Sequence, residues 1–123
     1  MITSKSPYRD ADSAAKATGE LLDLPNPPTC ILYPDDYAAI GGINEIRERG
    51  LRIPEDISIV GFDDNVFAEH CRPMLTTVQQ VVADKAYYAF DMLHKLIKGE
   101  ECPESNIHLP VKLVIRESVK KLG

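Results

Sequence analysis

An apolar, mostly β-branched run, ISIVGFDD at residues 57–64, leads through a glycine and an aromatic residue into two carboxylates. A short continuous run of this kind is typical of a strand buried on both faces, as in a parallel sheet. In open α/β sheets, ligands bind just beyond the carboxyl ends of the strands. The run therefore indicates a fold with a parallel sheet and places Asp63 and Asp64 where a site would open.

A second run upstream has the same arrangement. Residues 29–33, TCILY, pass through Pro34 to Asp35 and Asp36. We expect Cys30 to be a small core residue of this strand. Because the carboxyl ends of neighbouring parallel strands meet at one edge of a sheet, the two acidic pairs predict a polar pocket at that edge.

Helical and strand-like segments alternate along the chain. The pattern predicts three helices: one over 14–23 capped by Ser13, one over 36–49 ending at Gly50, and one over 80–98. It predicts strands over 29–33 and 57–61, a β-like segment over 76–78, and short strands over 107–109 and 111–115. Residues 64–75 are predicted to form a loop. Residues 1–11 are polar and are expected to form a flexible amino-terminal segment. The alternation predicts an α/β fold, a three-layer sandwich with a parallel sheet between helices.

The charge balance excludes several classes of protein. The net charge is −5 and no basic cluster exceeds Lys120 and Lys121. An acidic surface repels phosphates, so this chain alone is not expected to bind nucleic acid. No apolar run approaches the length of a membrane span, and no signal peptide is visible.

Cysteine usage points to a reducing compartment. The three cysteines lie at positions 30, 71 and 102, without a CxxC pair. An odd count at wide spacing argues against a disulfide framework and predicts a cytoplasmic location. His70 and Cys71 have no other His or Cys close in sequence, so we expect no metal site there.

The acidic pairs are open to more than one interpretation. Asp35 or Asp36 fits a cap of the second helix, which is a structural role. Acidic residues at neighbouring strand ends also fit a Mg²⁺-dependent phosphoryl site of the receiver type. For the hydroxyl and lysine of such a site, Thr76 or Thr77 and Lys112 are only loose candidates.

The third interpretation is recognition of a neutral polyol. A carboxylate accepts two hydrogen bonds in fixed directions and can bridge adjacent sugar hydroxyls. An aromatic ring such as that of Tyr33 or Phe62 can cover an apolar face of the sugar. Such a pocket needs no cofactor, metal, nucleophile or general base, and the sequence contains no motif typical of an enzyme.

Five sequence segments are more specific than the periodicity. They are DYAAIG at 36–41, GLRIPEDISIVGFDD at 50–64, PMLTTV at 73–78, LP at 109–110 and LVIRES at 113–118. In this order they closely resemble the lactose/galactose repressor family of bacterial transcription regulators. The resemblance covers nearly all of residues 13–119.

The resemblance implies a sensor of the periplasmic-binding-protein-like I type, with a small effector between two subdomains. By this resemblance, residues 12–123 are a carboxyl-terminal fragment of the effector-binding domain. Residues 12–76 and 111–119 would belong to the second subdomain. Residues 77–110 would be the hinge crossing and a helix of an otherwise missing first subdomain.

The resemblance also assigns roles to single residues. Asp63 matches the family's ligand-bonding acid, Asp35 a position where members often have a ligand-contacting asparagine, and Asp36 the Asp that follows it. We therefore expect Asp63 and Asp35 to accept hydrogen bonds from effector hydroxyls, with Asp36 orienting that edge. Phe62 or Tyr33 would supply an apolar wall.

A dimer contact is implied in the same way. It would use the helix over 36–49, including Ile43, and the loop around Phe67, His70 and Cys71. For that loop, a simple surface connection is the alternative.

The resemblance therefore implies a sugar- or small-molecule-sensing and dimerisation fragment of a bacterial repressor, and not an enzyme. The helix over 80–98 would lack its usual apolar partner, so we expect a homodimer in which the 78–110 segment can exchange between chains. DNA would be bound only through a helix-turn-helix absent from this chain, and half a cleft would bind effector weakly or not at all. A periplasmic-type sugar-binding protein is the alternative on the same scaffold.

Overall fold

The computed structural model describes residues 10–103 and 106–123, which form four helices and four strands. The helices are α1 (Ala11–Leu22), α2 (Asp36–Glu48), α3 (Val66–His70) and α4 (Val82–Ile97), and the strands are β1 (Cys30–Leu32), β2 (Ser58–Asp63), β3 (Thr76–Gln80) and β4 (Val111–Val114). The strands lie in the order β1-β2-β3-β4, and β1, β2 and β3 are parallel. The predicted α/β class and parallel pairing are confirmed.

The described chain divides into two compact units. The first runs up to Gln79 and continues with Leu113–Gly123, and the second is Gln80–Lys112, which contains α4. None of the residues of α4 is buried. Two contacts support this helix, and each joins side chains that are one helical turn apart. Lys95 and Asp91 form an ion pair at 2.7 Å, and the stacked rings of Phe90 and His94 have centroids 5.8 Å apart.

The first helix begins at Ala11, earlier than the predicted start at residue 14. Its N-cap is Asp10, whose backbone is extended and whose Oδ1 accepts a hydrogen bond from the backbone N–H of Ser13 at 2.7 Å. The prediction that Ser13 caps this helix is therefore wrong. Ser13 lies inside the first turn and donates to the cap, a position whose N–H group has no partner within the helix.

The core lies between α1, α2 and the central strands. Its buried residues share one apolar cluster: Ala14, Ile31, Tyr33, Ala38, Ala39, Ile43, Ile46, Ile57, Ile59, Ala68 and Leu75. Ile31 of β1 and Ile59 of β2 are partners in the parallel register, so their side chains point to the same face. That face is the one that meets α1 and α2.

Strand β1 alternates between faces. Ile31 is buried, whereas Cys30 and Leu32 on either side of it are exposed. Cys30 is therefore not the core residue that the sequence predicted. With a period of two, a three-residue strand that points its middle side chain inward must point its ends outward.

The remaining differences between the predicted and the observed elements concern short segments. Residues 64–75, predicted as a loop, contain the helix α3, whose N-cap Asn65 accepts from the N–H of Phe67 at 3.0 Å. Strand β2 continues to Asp63, beyond the predicted end at residue 61. Residues 107–109 do not form the predicted strand, and only Val111–Val114 is extended in that region.

The side chain of Tyr33 joins the end of β1 to α1. It is 5 % exposed, and its hydroxyl lies 2.7 Å from Thr18 Oγ1. Because the Thr18 hydroxyl donates to Ala14 O at 2.8 Å, the Tyr33 hydroxyl is the donor to Thr18. A Cβ on Gly42 would lie 1.9 Å from the Tyr33 hydroxyl oxygen, so this ring needs a glycine on α2 beside it.

We predict that Tyr33 makes the chain sensitive to alkaline pH. Burial raises the pKa of Tyr33 from 10.0 to about 12. Its contribution to stability is thus complete below pH 10 and is lost as the pH rises toward 12, by about 3 kcal/mol. Urea unfolding followed by circular dichroism should show this loss in the parent chain and its absence in Tyr33→Phe. The variant should cost about 1 kcal/mol at neutral pH, because it loses one hydrogen bond. An equal alkaline loss in both proteins would contradict the assignment.

Candidate functional site

The loops that follow β1 and β2 meet at the carboxyl edge of the sheet. Leu32 and Val60 are register partners, so the acidic residues that follow each strand enter the same region. A direct bond joins the two loops, because Asp36 Oδ2 accepts from the backbone N–H of Asn65 at 2.8 Å. The structure thus places Asp36 beside the loop that carries Asp64.

Asp35 caps α2. Its backbone is extended, and its Oδ1 accepts from the backbone N–H of Ala38 at 2.7 Å. The structure confirms the helix-cap interpretation for Asp35, which is half-buried. Capping uses one carboxylate oxygen, so a contact between Asp35 and an effector stays a prediction that is compatible with the cap.

Asp36 is internal. Its side chain has no exposed surface, and it accepts hydrogen bonds from Thr77 Oγ1 at 2.6 Å and from the Asn65 N–H. Burial raises the pKa of the Asp36 carboxyl, while the bonds from Thr77 and Asn65 act in the opposite direction. A Cβ on Gly61 would lie 2.2 Å from Asp36 Oδ1, so only glycine fits there. Asp36 therefore supports this edge from inside, and its part in effector binding stays a prediction.

The two aspartates at the end of β2 have unusual backbone conformations. The φ angle is 102° at Asp63 and 56° at Asp64, a region that side-chain-bearing residues rarely adopt. Each such residue costs on the order of 1–3 kcal/mol and persists only when surrounding contacts fix it, often at functional sites. Asp64 has two such contacts, Arg116 Nη2 at 2.7 Å from Oδ1 and Gln79 Nε2 at 2.7 Å from Oδ2.

The two predicted aromatic walls differ in placement. Phe62 is partly exposed near the end of β2, where Val78 is its register partner. Tyr33 instead lies in the core with its hydroxyl bonded to Thr18, so it presents no open ring face. Phe62 is thus the better placed of the two for a sugar face.

The predicted dimer residues fall into an exposed group and a buried or partly buried group. Phe67, with 43 % of its surface exposed, and His70 lie on the outside of α3, and the Phe67 ring contacts that of Tyr37 at 5.8 Å between centroids. Cys71 is partly buried, with its thiol directed at Pro73 O at 3.3 Å. Ile43 is 3 % exposed because it belongs to the core beneath α2, and its part in a dimer contact stays a prediction.

The carboxyl-terminal Arg-Glu-Ser motif is part of the site's support, which local sequence patterns did not reveal. Ser118 Oγ accepts from the N–H of Thr76 at 2.8 Å and donates to Ile59 O at 2.7 Å, so it bridges β3 and β2. The N–H of Arg116 donates to Thr76 Oγ1 at 2.9 Å. The motif marked the family, but nothing in its spacing indicated that it joins these two strands.

A family model described as a periplasmic binding protein-like domain matches residues 2–119. The chain belongs to this family. Its resemblance to the lactose/galactose repressors is also confirmed, because its relatives and structural neighbours are regulators of the LacI type.

Three members illustrate the relationship. The HTH-type transcriptional repressor CytR of Escherichia coli (strain K12) is 33% identical over 111 residues, which are 90% of this chain and 33% of that protein. A LacI transcriptional regulator from Bacillus cereus subsp. cytotoxis NVH 391-98 superimposes with a TM-score of 0.87 at 29% identity, covering 93% of this chain and 40% of that one. The transcriptional regulator CelR in complex with cellobiose has a TM-score of 0.83 at 32% identity, covering 89% and 34%. The chain thus spans about a third of the length of the curated relative.

The described part of this periplasmic-binding-protein-like chain lacks two kinds of feature. Across residues 10–103 and 106–123, no three His, Cys, Asp or Glu side chains are grouped to hold a metal ion. In the same described part, no helix has both the length and the apolar character needed to cross a membrane.

We predict that Asp36 is the main internal support of this edge. Asp36→Ala leaves the Thr77 hydroxyl and the Asn65 N–H without their acceptor, so the unfolding free energy should fall by about 3 kcal/mol. Asp36→Asn should lose less, because its oxygen still accepts one bond and the buried charge, which costs stability at neutral pH, is gone. Urea denaturation measures both changes.

The matched control is Asp56→Ala. Asp56 also accepts from a side chain and a backbone N–H, both of Arg52, but on the surface. A surface pair of this type contributes little, so the control should lie close to the parent chain. If Asp36→Ala were as stable as the control, the internal role of Asp36 would be wrong.

Proposed function

We propose that this chain is the effector-sensing part of a bacterial transcription repressor and that its effector is a sugar or similar polyol. The observation that carries the proposal is the strained carboxylate turn, Asp63 and Asp64, at the carboxyl end of the central strand. Ligands of open α/β sheets bind at this end. The cellobiose complex of CelR, with the same fold, supports the sugar assignment.

In this proposal Asp63 accepts hydrogen bonds from adjacent effector hydroxyls. A carboxylate has two acceptor oxygens in one plane, which matches vicinal hydroxyl groups. The partly exposed ring of Phe62, one residue earlier, covers an apolar face of the sugar, and the half-buried Asp35 adds a further acceptor from the neighbouring loop. Recognition of this type involves no bond breaking, which agrees with a sensor and not with an enzyme.

The receiver-type and periplasmic alternatives have less support. A receiver site needs a free hydroxyl at a strand end, but Thr77 Oγ1 donates to Asp36 at 2.6 Å. The relationship to CytR, named a transcriptional repressor, favours a regulator over a periplasmic sugar-binding protein. In the proposed function, DNA is bound in the cytoplasm through a helix-turn-helix outside these residues.

We predict that Asp63 is required for sugar binding. In a cellobiose titration followed by NMR, backbone amides at 62–65 of the parent chain should shift at millimolar sugar, which corresponds to a weak affinity of about −4 kcal/mol. Asp63→Gly should abolish these shifts. Glycine adopts a φ of 102° without strain, so this variant removes the carboxylate while the fold is retained or stabilised.

Two controls accompany the titration. Asp63→Asn keeps one acceptor oxygen and should bind weakly, and the exposed-site variant Asp56→Ala should bind like the parent chain. Equal binding by Asp63→Gly and the parent would remove Asp63 from the site. A parent chain that responds to no sugar in a disaccharide panel would contradict the weak binding predicted for these residues.

We also propose a homodimer that uses apolar surface of α4, with residues 12–76 and 111–119 as one subdomain and 77–110 as a hinge crossing and helix that can exchange between chains. Large apolar side chains on α4 are more than half exposed: Tyr87, Phe90, Leu93, Leu96 and Ile97. An apolar stripe of this kind is typical of an interaction surface. Phe67 and His70 on α3 offer a second exposed surface for the dimer.

Light scattering after size-exclusion chromatography should give twice the chain mass of 13.7 kDa. Phe90→Glu with Leu93→Glu should give a monomer, because charges placed in an apolar interface are costly to bury. Lys85→Glu, an exposed position on the same helix, is the control and should stay dimeric. A parent chain that is monomeric at high concentration would contradict the dimer.

A further inference from the structure

The guanidinium of Arg116 contacts the connection between β2 and β3 at three points. Its Nη2 lies 2.7 Å from Asp64 Oδ1, at the start of the connection, and 3.1 Å from Glu69 Oε1 on α3. Its Nη1 donates to Leu75 O at 3.0 Å, at the end of the connection. One side chain, only 11% exposed, therefore spans the whole 64–75 segment.

Arg116 is itself held firmly. Its N–H donates to Thr76 Oγ1, and the next residue bonds Met74 twice, through Glu117 N–H to Met74 O at 3.0 Å and Met74 N–H to Glu117 Oε2 at 2.7 Å. Ser118 then joins both strands through its hydroxyl. The guanidinium therefore extends from a fixed backbone and can hold the 64–75 segment in place.

The turn that Arg116 contacts needs such support. Asp63 and Asp64 both have positive φ angles, which persist only where neighbouring contacts fix the backbone. Other acidic groups lie close to the turn: Asp36 accepts from the N–H of Asn65, and Glu69 on α3 contacts the same guanidinium as Asp64. Arg116 offsets this negative charge with fork geometry that a lysine cannot reproduce.

We infer that Arg116 is a positioning residue for the effector site. It holds the 64–75 segment so that Asp63 keeps the backbone conformation from which it meets the effector. The sugar part of this inference rests on the proposed function, whereas the ordering of the segment stands independently of it.

The test compares Arg116→Met and Arg116→Lys with Arg52→Met. Arg52 also forms a two-point pair with an aspartate, Asp56, but it is 70% exposed and both residues precede β2. Amide hydrogen exchange at residues 63–70, the unfolding free energy and cellobiose binding by NMR are measured for each variant.

In Arg116→Met, exchange at 63–70 should be at least about tenfold faster than in the parent chain, while amides of α1 and β1 keep their rates. Cellobiose should bind at least about tenfold more weakly under conditions where the variant is folded. Arg116→Lys should lie between, because one ammonium keeps the charge but cannot span three acceptors. Arg52→Met should leave both quantities unchanged.

Uniformly faster exchange along the chain, without a local excess at 63–70, would overturn the positioning role in favour of a general structural one. So would equal cellobiose affinity in the parent and Arg116→Met. If Arg116→Met does not fold, Asp64→Asn removes the ion pair from its other end, and asparagine tolerates the φ of 56°. A parent chain that binds no sugar contradicts the sugar part of this inference, and the exchange result then decides the role of Arg116 alone.

Discussion

The buried carboxylate of Asp36 joins three parts of the fold that are far apart along the chain. It begins α2, accepts the hydroxyl of Thr77 on β3, and accepts the N–H of Asn65 in the loop after β2. A buried charge is tolerated only when its hydrogen bonds are made. The start of α2, strand β3 and the loop after β2 must therefore be in their native positions together. The glycine at 61 follows from the same constraint, because any side chain there would displace the carboxylate.

The loop after β2 is held from two sides. Asp36 supports the loop from inside, and Arg116 bonds Asp64 from the carboxyl-terminal segment. Between them the backbone at Asp63 and Asp64 is held in conformations that a free chain would leave. Strain at a partly exposed acidic residue, Asp63, is consistent with a preorganised site, in which little ordering is needed when a ligand binds.

Local sequence patterns predicted the elements well where one segment alone decides the outcome. The helix over 36–49 was found almost to the residue because Asp35 caps it and Gly50, with a φ of 75°, ends it. The burial of the individual β1 side chains was not predicted, because a run of apolar residues does not indicate which of its side chains points inward. The ion pair between Arg116 and Asp64 was missed for another reason: the two residues meet only after the sheet has formed, and no local spacing relates them.

The bridge made by Ser118 has a consequence for how the protein matures. Its hydroxyl bonds Thr76, which lies 42 positions earlier in the chain, and Ile59, which lies 59 positions earlier. The contact is therefore strongly non-local. Contacts of this kind form late in folding, because the intervening chain must first lose the entropy of loop closure. During synthesis on the ribosome, the Thr76 N–H and the Ile59 carbonyl lack this partner until Ser118 has emerged. During that interval the unpaired strand groups are exposed to misassembly with other nascent chains.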